Sequence, residues 1–238
     1  LKTVSDLKIK LFADGADRAQ IQRAYANPLI KGFTTNPTLM RAAGVTGYEA
    51  FAQEILTVVR DKPISFEVFA DEFDEMERQA RKIAGWAENV YVKIPITNTR
   101  GESAMSLAAR LARSGVKVNV TAVLTLEQVR EAAAALGGGA PAVISVFAGR
   151  IADTGRDPVA VMTSAMSVIA RFPNIELLWA SPRELLNIFQ ADDVGCHIIT
   201  ATDGVLSKLQ TVGRDLQEYS LDTVKMFHSD AVRSGYTL

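Results

Sequence analysis

The chain has 238 residues, 48% of them hydrophobic and 22% charged, with a net charge of −1. Near-neutral charge gives no ground for a nucleic-acid or anionic-membrane partner, and no apolar run approaches the roughly 20 residues that span a bilayer. The single cysteine, Cys196, rules out an internal disulfide and suits a reducing cytoplasm, and the opening Leu1-Lys2-Thr3-Val4-Ser5-Asp6 lacks the apolar centre of a secretory signal. The expectation is one cytoplasmic domain over residues 1–238.

Short apolar segments, rich in Val, Ile and Phe, alternate with helical stretches along the whole chain. The first two strands are expected at Ile9–Ala13 and Gly32–Thr35, with Gly44 ending a short helix and Thr46–Glu49 spaced as a capping box for the next. A third strand, Ile64–Phe69, runs into the acidic segment Asp71-Glu72-Phe73-Asp74-Glu75, which favours a helix start, and Gly85 marks that helix's end. Strand four is Val90–Ile94, followed by a second box spacing at Thr99–Glu102 and a stop at Gly115. Strand five, Val116–Val123, leads to a third box, Thr125–Gln128, and the turn Gly137-Gly138-Gly139. Strand six is Ala142–Phe147, and Asp157-Pro158 sets an N-cap before a first-turn proline. Strand seven, Glu176–Ala180, meets a fourth box spacing at Ser181–Glu184, and strand eight is His197–Ala201.

The repeat of roughly 25–30 residues is that of one strand-plus-helix unit. Strands apolar on both faces belong to a parallel sheet covered by helices. Eight units, with no Gly-x-Gly-x-x-Gly turn after the first strand, favour a closed (β/α)8 TIM barrel of the α/β class over a doubly wound open sheet. Residues 206–238 then form additional C-terminal helices, with Leu206, Leu209, Val212, Leu216, Val224 and Phe227 available to close the outer ring or dock on a neighbouring subunit.

A barrel keeps its chemistry at the C-terminal ends of its strands, and residues two apart on a strand share a face. Those ends carry Asp14, Asn36, Glu67, Lys93, Asn119 with Thr121, Ser145 with Phe147, Ser181, and Thr200 or Thr202. A barrel built for stability alone would fill such positions with aliphatic residues, so the polar ring marks a site. Lys93, inside Val90-Tyr91-Val92-Lys93-Ile94-Pro95, is the sharpest member. A strand-terminal lysine can simply snorkel to solvent. A buried ammonium, however, is costly to retain without use, and removal from water favours the neutral amine that attacks a carbonyl. Glu67, between Phe66 and Val68, is poised as an acid or base; Asp14, before Gly15, could equally be a helix cap.

With those residues in hand, the sequence resembles the transaldolase family, in particular its short-chain members, over about Lys8 to Leu209. The segments that carry the likeness are Gly32-Phe33-Thr34-Thr35-Asn36-Pro37-Thr38, Val92-Lys93-Ile94-Pro95, Asn119-Val120-Thr121 and Ser145-Val146-Phe147-Ala148-Gly149-Arg150. Ala180-Ser181-Pro182-Arg183 and Ile198-Ile199-Thr200 extend it. The resemblance implies metal-free, cofactor-free aldol chemistry on sugar phosphates in a homo-oligomer. Lys93 would form a Schiff base with the keto carbon of a ketose phosphate, and Asp14 would take the proton of the carbon-4 hydroxyl. Glu67 and Thr121 would manage a catalytic water. Thr34, Asn36, Asn119 and Ser145 would line the three-carbon unit, and Arg150, Ser181 and Arg183 would hold the phosphate. For Ser181 the residues add a reason of their own, since it is expected to open a helix whose N-terminus attracts an anion. Pro182 departs from the bulkier residue that relatives often carry there.

Similar proteins include fructose-6-phosphate aldolases, which release dihydroxyacetone and tend to carry Gln and Tyr where this chain has Glu67 and Phe147. Phenylalanine has no proton to give an enamine, so the resemblance favours transfer to an acceptor aldehyde. A sugar-phosphate-binding barrel without turnover, or a barrel lyase that forms no imine, are the rival classes. His197 is expected to bond locally, His228 to be exposed, Cys196 to be an inert buried thiol, and Trp86 and Trp179 to be packing residues.

Overall fold

The computed structural model describes residues 2–237. Eight parallel strands close into a barrel in sequence order: β1 Lys10–Asp14, β2 Ile30–Thr34, β3 Ile64–Glu67, β4 Val90–Pro95, β5 Val118–Val123, β6 Ala142–Val146, β7 Ile175–Trp179 and β8 Ile198–Ala201. Between and after them lie α1 Arg18–Ala26, α2 Pro37–Ala42, α3 Tyr48–Val58, α4 Phe73–Ala84, α5 Met105–Arg113, α6 Leu126–Leu136, α7 Ala148–Ala152, α8 Pro158–Ile169, α9 Leu186–Asp193, α10 Asp203–Leu206 and α11 Leu216–Ser234. The expected (β/α)8 architecture stands, with strand ends displaced by one to two residues.

Period-two alternation assigns the strand residues to two cores. Outward residues such as Phe33, Phe66, Val92, Val120, Ile144, Leu177 and Ile199 pack under the helices with Phe51, Ile55, Met76, Leu107, Leu111 and Leu136. Phe12, Val143, Leu178, Ala180 and Ile198 form a second cluster, with Tyr91 and Phe147 against it. They alternate with the outward set along their strands, so they plug the barrel below the polar ring. Gly32 is required here: a Cβ at that position would lie 2.4 Å from the Phe12 ring.

Two of the expected helix starts form as written. Thr125 and Gln128 make a reciprocal capping box at α6, and Asp157 caps α8 ahead of Pro158. Three do not. At α3 the N-cap is Gly47, with no side-chain cap from Thr46. Thr99 precedes no helix: its backbone N–H and hydroxyl both donate to Asp71, at 2.7 and 2.8 Å, while the Asn98 side chain receives the Glu102 N–H at 2.9 Å. Ser181 sits in the left-handed region at φ 60°, which a residue entering a helix does not adopt, and α9 begins only at Leu186. The helix-N-terminus argument for an anion at Ser181 therefore falls.

The C-terminal segment divides in two. Leu206 and Leu209 pack against the core, whereas α11 buries none of its residues and leaves Leu216, Val224 and Phe227 exposed. No helix among the described residues is long and apolar enough to cross a membrane.

Candidate active site

At the C-terminal mouth of the barrel is a cavity of about 600 Å³ lined by Asp14, Thr34, Asn36, Glu67, Lys93, Thr121, Ser145, Phe147, Arg150 and Ser181, among others. These come from β1 to β7 and the loops that follow them. A groove of similar size, about 620 Å³, runs beside α6 and α8, but Arg156 is its only charged lining residue. Most of the polar ring read from the sequence lines this one cavity, with Thr202 and not Thr200 contributed after β8; Asn119 and Thr200 are buried behind the lining.

Lys93 is 6% exposed, and its Nζ lies 2.9 Å from Glu67 Oε2 and donates to the Thr35 carbonyl at 3.0 Å. Strand register explains the meeting, because Glu67, Lys93 and Asn119 are successive partners across β3, β4 and β5. The snorkelling alternative is excluded, since the ammonium is held inside. Glu67 is itself pinned from outside the barrel. Tyr48 on α3 donates to its carbonyl and receives its N–H, both at 2.7 Å, within an aromatic cluster with Phe66, Phe69 and Trp86. Tyr48→Phe strips both bonds from the Glu67 backbone. It should lower stability by about 1–3 kcal/mol in a denaturant titration and cut activity more than Phe66→Leu does.

Across the cavity, burial pushes the Asp14 carboxyl above the usual carboxylate range; the Thr34 hydroxyl and Lys93 pull it back, and Glu67 adds to the rise. Thr34 donates to Asp14 Oδ1 at 2.7 Å and lies 2.5 Å from the Thr200 hydroxyl, so its hydroxyl is engaged within the protein as well as facing the cavity. Asp14 caps nothing: the N-cap of α1 is Asp17. Deeper down, Ser145 donates to Asn119 Oδ1 at 2.7 Å and the Asn119 amide donates to Ser65 Oγ at 3.1 Å. Asn36 caps α2 by receiving the Leu39 N–H at 2.9 Å, which occupies its oxygen and not its amide nitrogen. The Thr121 hydroxyl is buried with no hydrogen-bond partner among the described residues.

The rim is strained. Ala122 and Ser181 are the only non-glycine residues at positive φ among the described residues, and both line the cavity. Left-handed backbone costs such residues roughly 1–2 kcal/mol and persists where surroundings enforce it. At Ser181 the close approach of its carbonyl is made possible by Gly149, where a Cβ would lie 1.5 Å from the Ser181 carbonyl oxygen. Arg150 holds its guanidinium 5.5 Å from the centre of the Phe147 ring. Arg183 does not line the cavity. Its Nε donates to Asp153 Oδ1 at 2.8 Å and its Nη2 pairs with the other carboxylate oxygen, while Nη1 donates to Ser181 Oγ at 3.1 Å.

Sequence reasoning passed over Tyr48, Ser65, the Thr35 carbonyl and Asp153. Only Ser65 had a signal, lying two residues before Glu67 on the same strand face. Of the residues set aside, His197 accepts the Leu177 N–H at 3.1 Å on Nδ1, His228 is exposed, and burial pushes the Cys196 thiol up to about 12.

Eight parallel strands closing on a buried lysine beside one carboxylate and opposite another, with Arg150 on the cavity wall, define the class as a (β/α)8-barrel enzyme. The chain belongs to the Transaldolase/Fructose-6-phosphate aldolase family, which it matches over residues 11–237. It is 36% identical over 202 residues to a "Probable transaldolase 2" of Listeria monocytogenes, covering 84% of this chain and 88% of that one. A "Probable transaldolase" of Dehalococcoides mccartyi is 31% identical over 202 residues, covering 84% of this chain and 90% of the other. Among solved structures, a 2,3-dimethylmalate lyase shares the fold with a TM-score of 0.58 at 13% identity, over 98% of this chain and 83% of that one.

Proposed function

We propose that this enzyme transfers a dihydroxyacetone unit from a ketose phosphate, such as fructose 6-phosphate or sedoheptulose 7-phosphate, to an aldose phosphate through a Schiff base on Lys93. The observation that carries the proposal is the buried Lys93 ammonium between Glu67 and the Thr35 carbonyl, facing Asp14 across a cavity of sugar size. Glu67 is close enough to take the lysine proton, freeing the amine to add to the keto carbon. The carbinolamine then loses water, and Thr121, with its unpartnered hydroxyl, and Glu67 are the groups to escort it. Asp14 removes the proton of the carbon-4 hydroxyl, the bond between carbons 3 and 4 breaks, and its electron pair is held as the enamine on Lys93. The aldose phosphate leaves, and the enamine adds to the carbonyl carbon of the incoming aldehyde. Asn36, Asn119 and Ser145 are the partners for the retained hydroxyls.

Phe147 favours transfer over release, because no hydroxyl at that rim position can protonate the enamine. Incubation with fructose 6-phosphate, with and without erythrose 4-phosphate, tests this: product only with the acceptor supports transfer, and free dihydroxyacetone without it supports the aldolase. Sugar-phosphate exchange of this type belongs to pentose phosphate metabolism in the cytoplasm.

The phosphate is assigned to Arg150, Ser181 and Arg183, with the Asp153 pair orienting Arg183 so that Nη1 faces Ser181. Both partners of that pair are about half exposed, which makes the pair worth at most about 1 kcal/mol. Asp153→Ala should therefore raise KM for a phosphorylated donor up to about fivefold and leave kcat in place. A tighter KM would mean that Asp153 competes with the phosphate. The exposed apolar side chains of α11 (Leu216, Val224, Phe227) support a homo-oligomer in which this helix is covered. Light scattering of the wild type and of Phe227→Glu tests that.

A further inference from the structure

A hydroxyl has one proton to give, and this constrains the chain Thr200–Thr34–Asp14. Thr34 Oγ lies 2.7 Å from Asp14 Oδ1 and 2.5 Å from Thr200 Oγ. An ionised carboxylate only accepts, so Thr34 must spend its proton on Asp14 and receive one from Thr200. In that arrangement both hydroxyl protons are used. With Asp14 protonated and its proton directed at Thr34, the chain would run the other way, Asp14 to Thr34 to Thr200. The Thr200 proton would then have no acceptor, because Thr34 is the only hydrogen-bond partner of the Thr200 hydroxyl among the described residues. Thr200 and Thr34 are 5% and 3% exposed, too enclosed for bulk water to compensate cheaply. An acid that carries its proton on the other oxygen still accepts from Thr34 at Oδ1, but more weakly than a carboxylate does, so the hydroxyl chain favours the ionised acid.

We propose that Thr200, on β8, is a positioning residue that acts through Thr34 to hold Asp14 as an oriented carboxylate. This rests on the aldol reading of the site, in which Asp14 must begin ionised to take the carbon-4 hydroxyl proton. The other groups near Asp14 divide in sign. Lys93 on β4 favours the carboxylate and Glu67 on β3 opposes it. Asp203 at the start of α10 shares a small cavity with Asp14, and the α1 residues lining that cavity, Gln20, Ile21 and Ala24, are uncharged. Burial acts against ionisation, and the two threonines supply uncharged, directional support for it. Thr200 does not itself line the cavity, and its hydroxyl bonds to Thr34, which does, so its effect passes through Thr34.

The test separates this role from simple packing. Thr200→Val keeps the shape and removes the proton; Thr200→Ser keeps the proton and removes a methyl group. Carbon-13 NMR of the side-chain carboxyls, with Asp14 assigned by comparison with Asp14→Asn, follows its titration in substrate-free protein. In Thr200→Val the midpoint should rise by about half to one pH unit, the worth of one neutral hydrogen bond, and in Thr200→Ser it should return to the wild-type value. The acid limb of the rate of ketose phosphate cleavage should move by the same amount. Thr200→Ala should behave as Thr200→Val does and serves if the valine variant folds poorly. An unmoved midpoint in both Val and Ala variants, or a serine variant that behaves like valine, would overturn the proposal. Failure of the aldol reading looks different: no borohydride-trapped adduct forms on Lys93, while the substrate-free titration still reports on Thr200.

Discussion

Lys93→Met is expected to abolish borohydride trapping of a ketose phosphate and to lower turnover by roughly four orders of magnitude or more, since the variant lacks the amine proposed as nucleophile. Intact mass before and after reduction reads the first effect, and an equal adduct on the variant would remove Lys93 from the mechanism. The same substitution has a structural consequence. Glu67 loses the ammonium 2.9 Å from Oε2, and its side chain is only 20% exposed. Breaking a buried pair by removing one partner costs about 3–5 kcal/mol, and partial access to water reduces this here to about 1–3 kcal/mol. Adding Glu67→Gln to Lys93→Met should return most of that stability, because the stranded charge is removed. If the double variant is no more stable than Lys93→Met alone, the pair is not what the buried carboxylate depends on. Activity stays lost in both, which separates the catalytic from the structural share of Lys93.

Much of this site could be read before the fold was in hand, and the reason is periodic. Inward residues recur every second position, so Ser145 and Phe147, or Asn119 and Thr121, announce a shared face as soon as their strands are recognised. Strand end plus barrel geometry then places Lys93, Glu67 and Asp14 together. Helix starts were less legible. The spacing Ser/Thr-x-x-Glu is satisfied in turns as readily as in caps, and nothing local distinguishes Thr125, which caps α6, from Thr99, whose hydroxyl is taken by Asp71 from another loop. Ser181 failed for a related reason. Its left-handed backbone brings its carbonyl against Gly149, thirty-two positions earlier in sequence, and no pattern around Ser181 records that contact. Supporting contacts were invisible on the same principle. Tyr48 reaches Glu67 from a helix, and Thr200 meets Thr34 across the closure of the barrel, 166 positions apart. Thr200 and Thr34 become adjacent only when β8 pairs with β1.

Asp14→Asn should make a more stable and nearly inactive protein. Loss of the base proposed to take the carbon-4 hydroxyl proton is worth roughly 10²–10⁴ in rate. The stability gain follows from the sign of the Asp14 shift. Burial is the largest influence and raises the folded-state pKa, while the unfolded chain titrates near the ordinary value of about 3.9. Between those two values the folded protein binds more protons than the unfolded one, so stability falls as pH rises through that window. Above the folded-state pKa the deficit is constant. Asparagine keeps an oxygen for the Thr34 hydroxyl and cannot ionise, so the variant escapes the deficit. The expected gain is about 0.5–2 kcal/mol at pH 7, shrinking toward zero near pH 4. Urea titrations of both proteins across that range measure it. A difference that does not change with pH would show that ionisation of Asp14 is not the source, and a loss of stability at neutral pH would show that the charge is held by Lys93 and the threonines at no net cost. The pattern expected instead is that of a functional carboxylate kept ionised against the preference of the fold, with Thr34, Thr200 and Lys93 offsetting part of the burial and leaving the remainder as a measurable deficit.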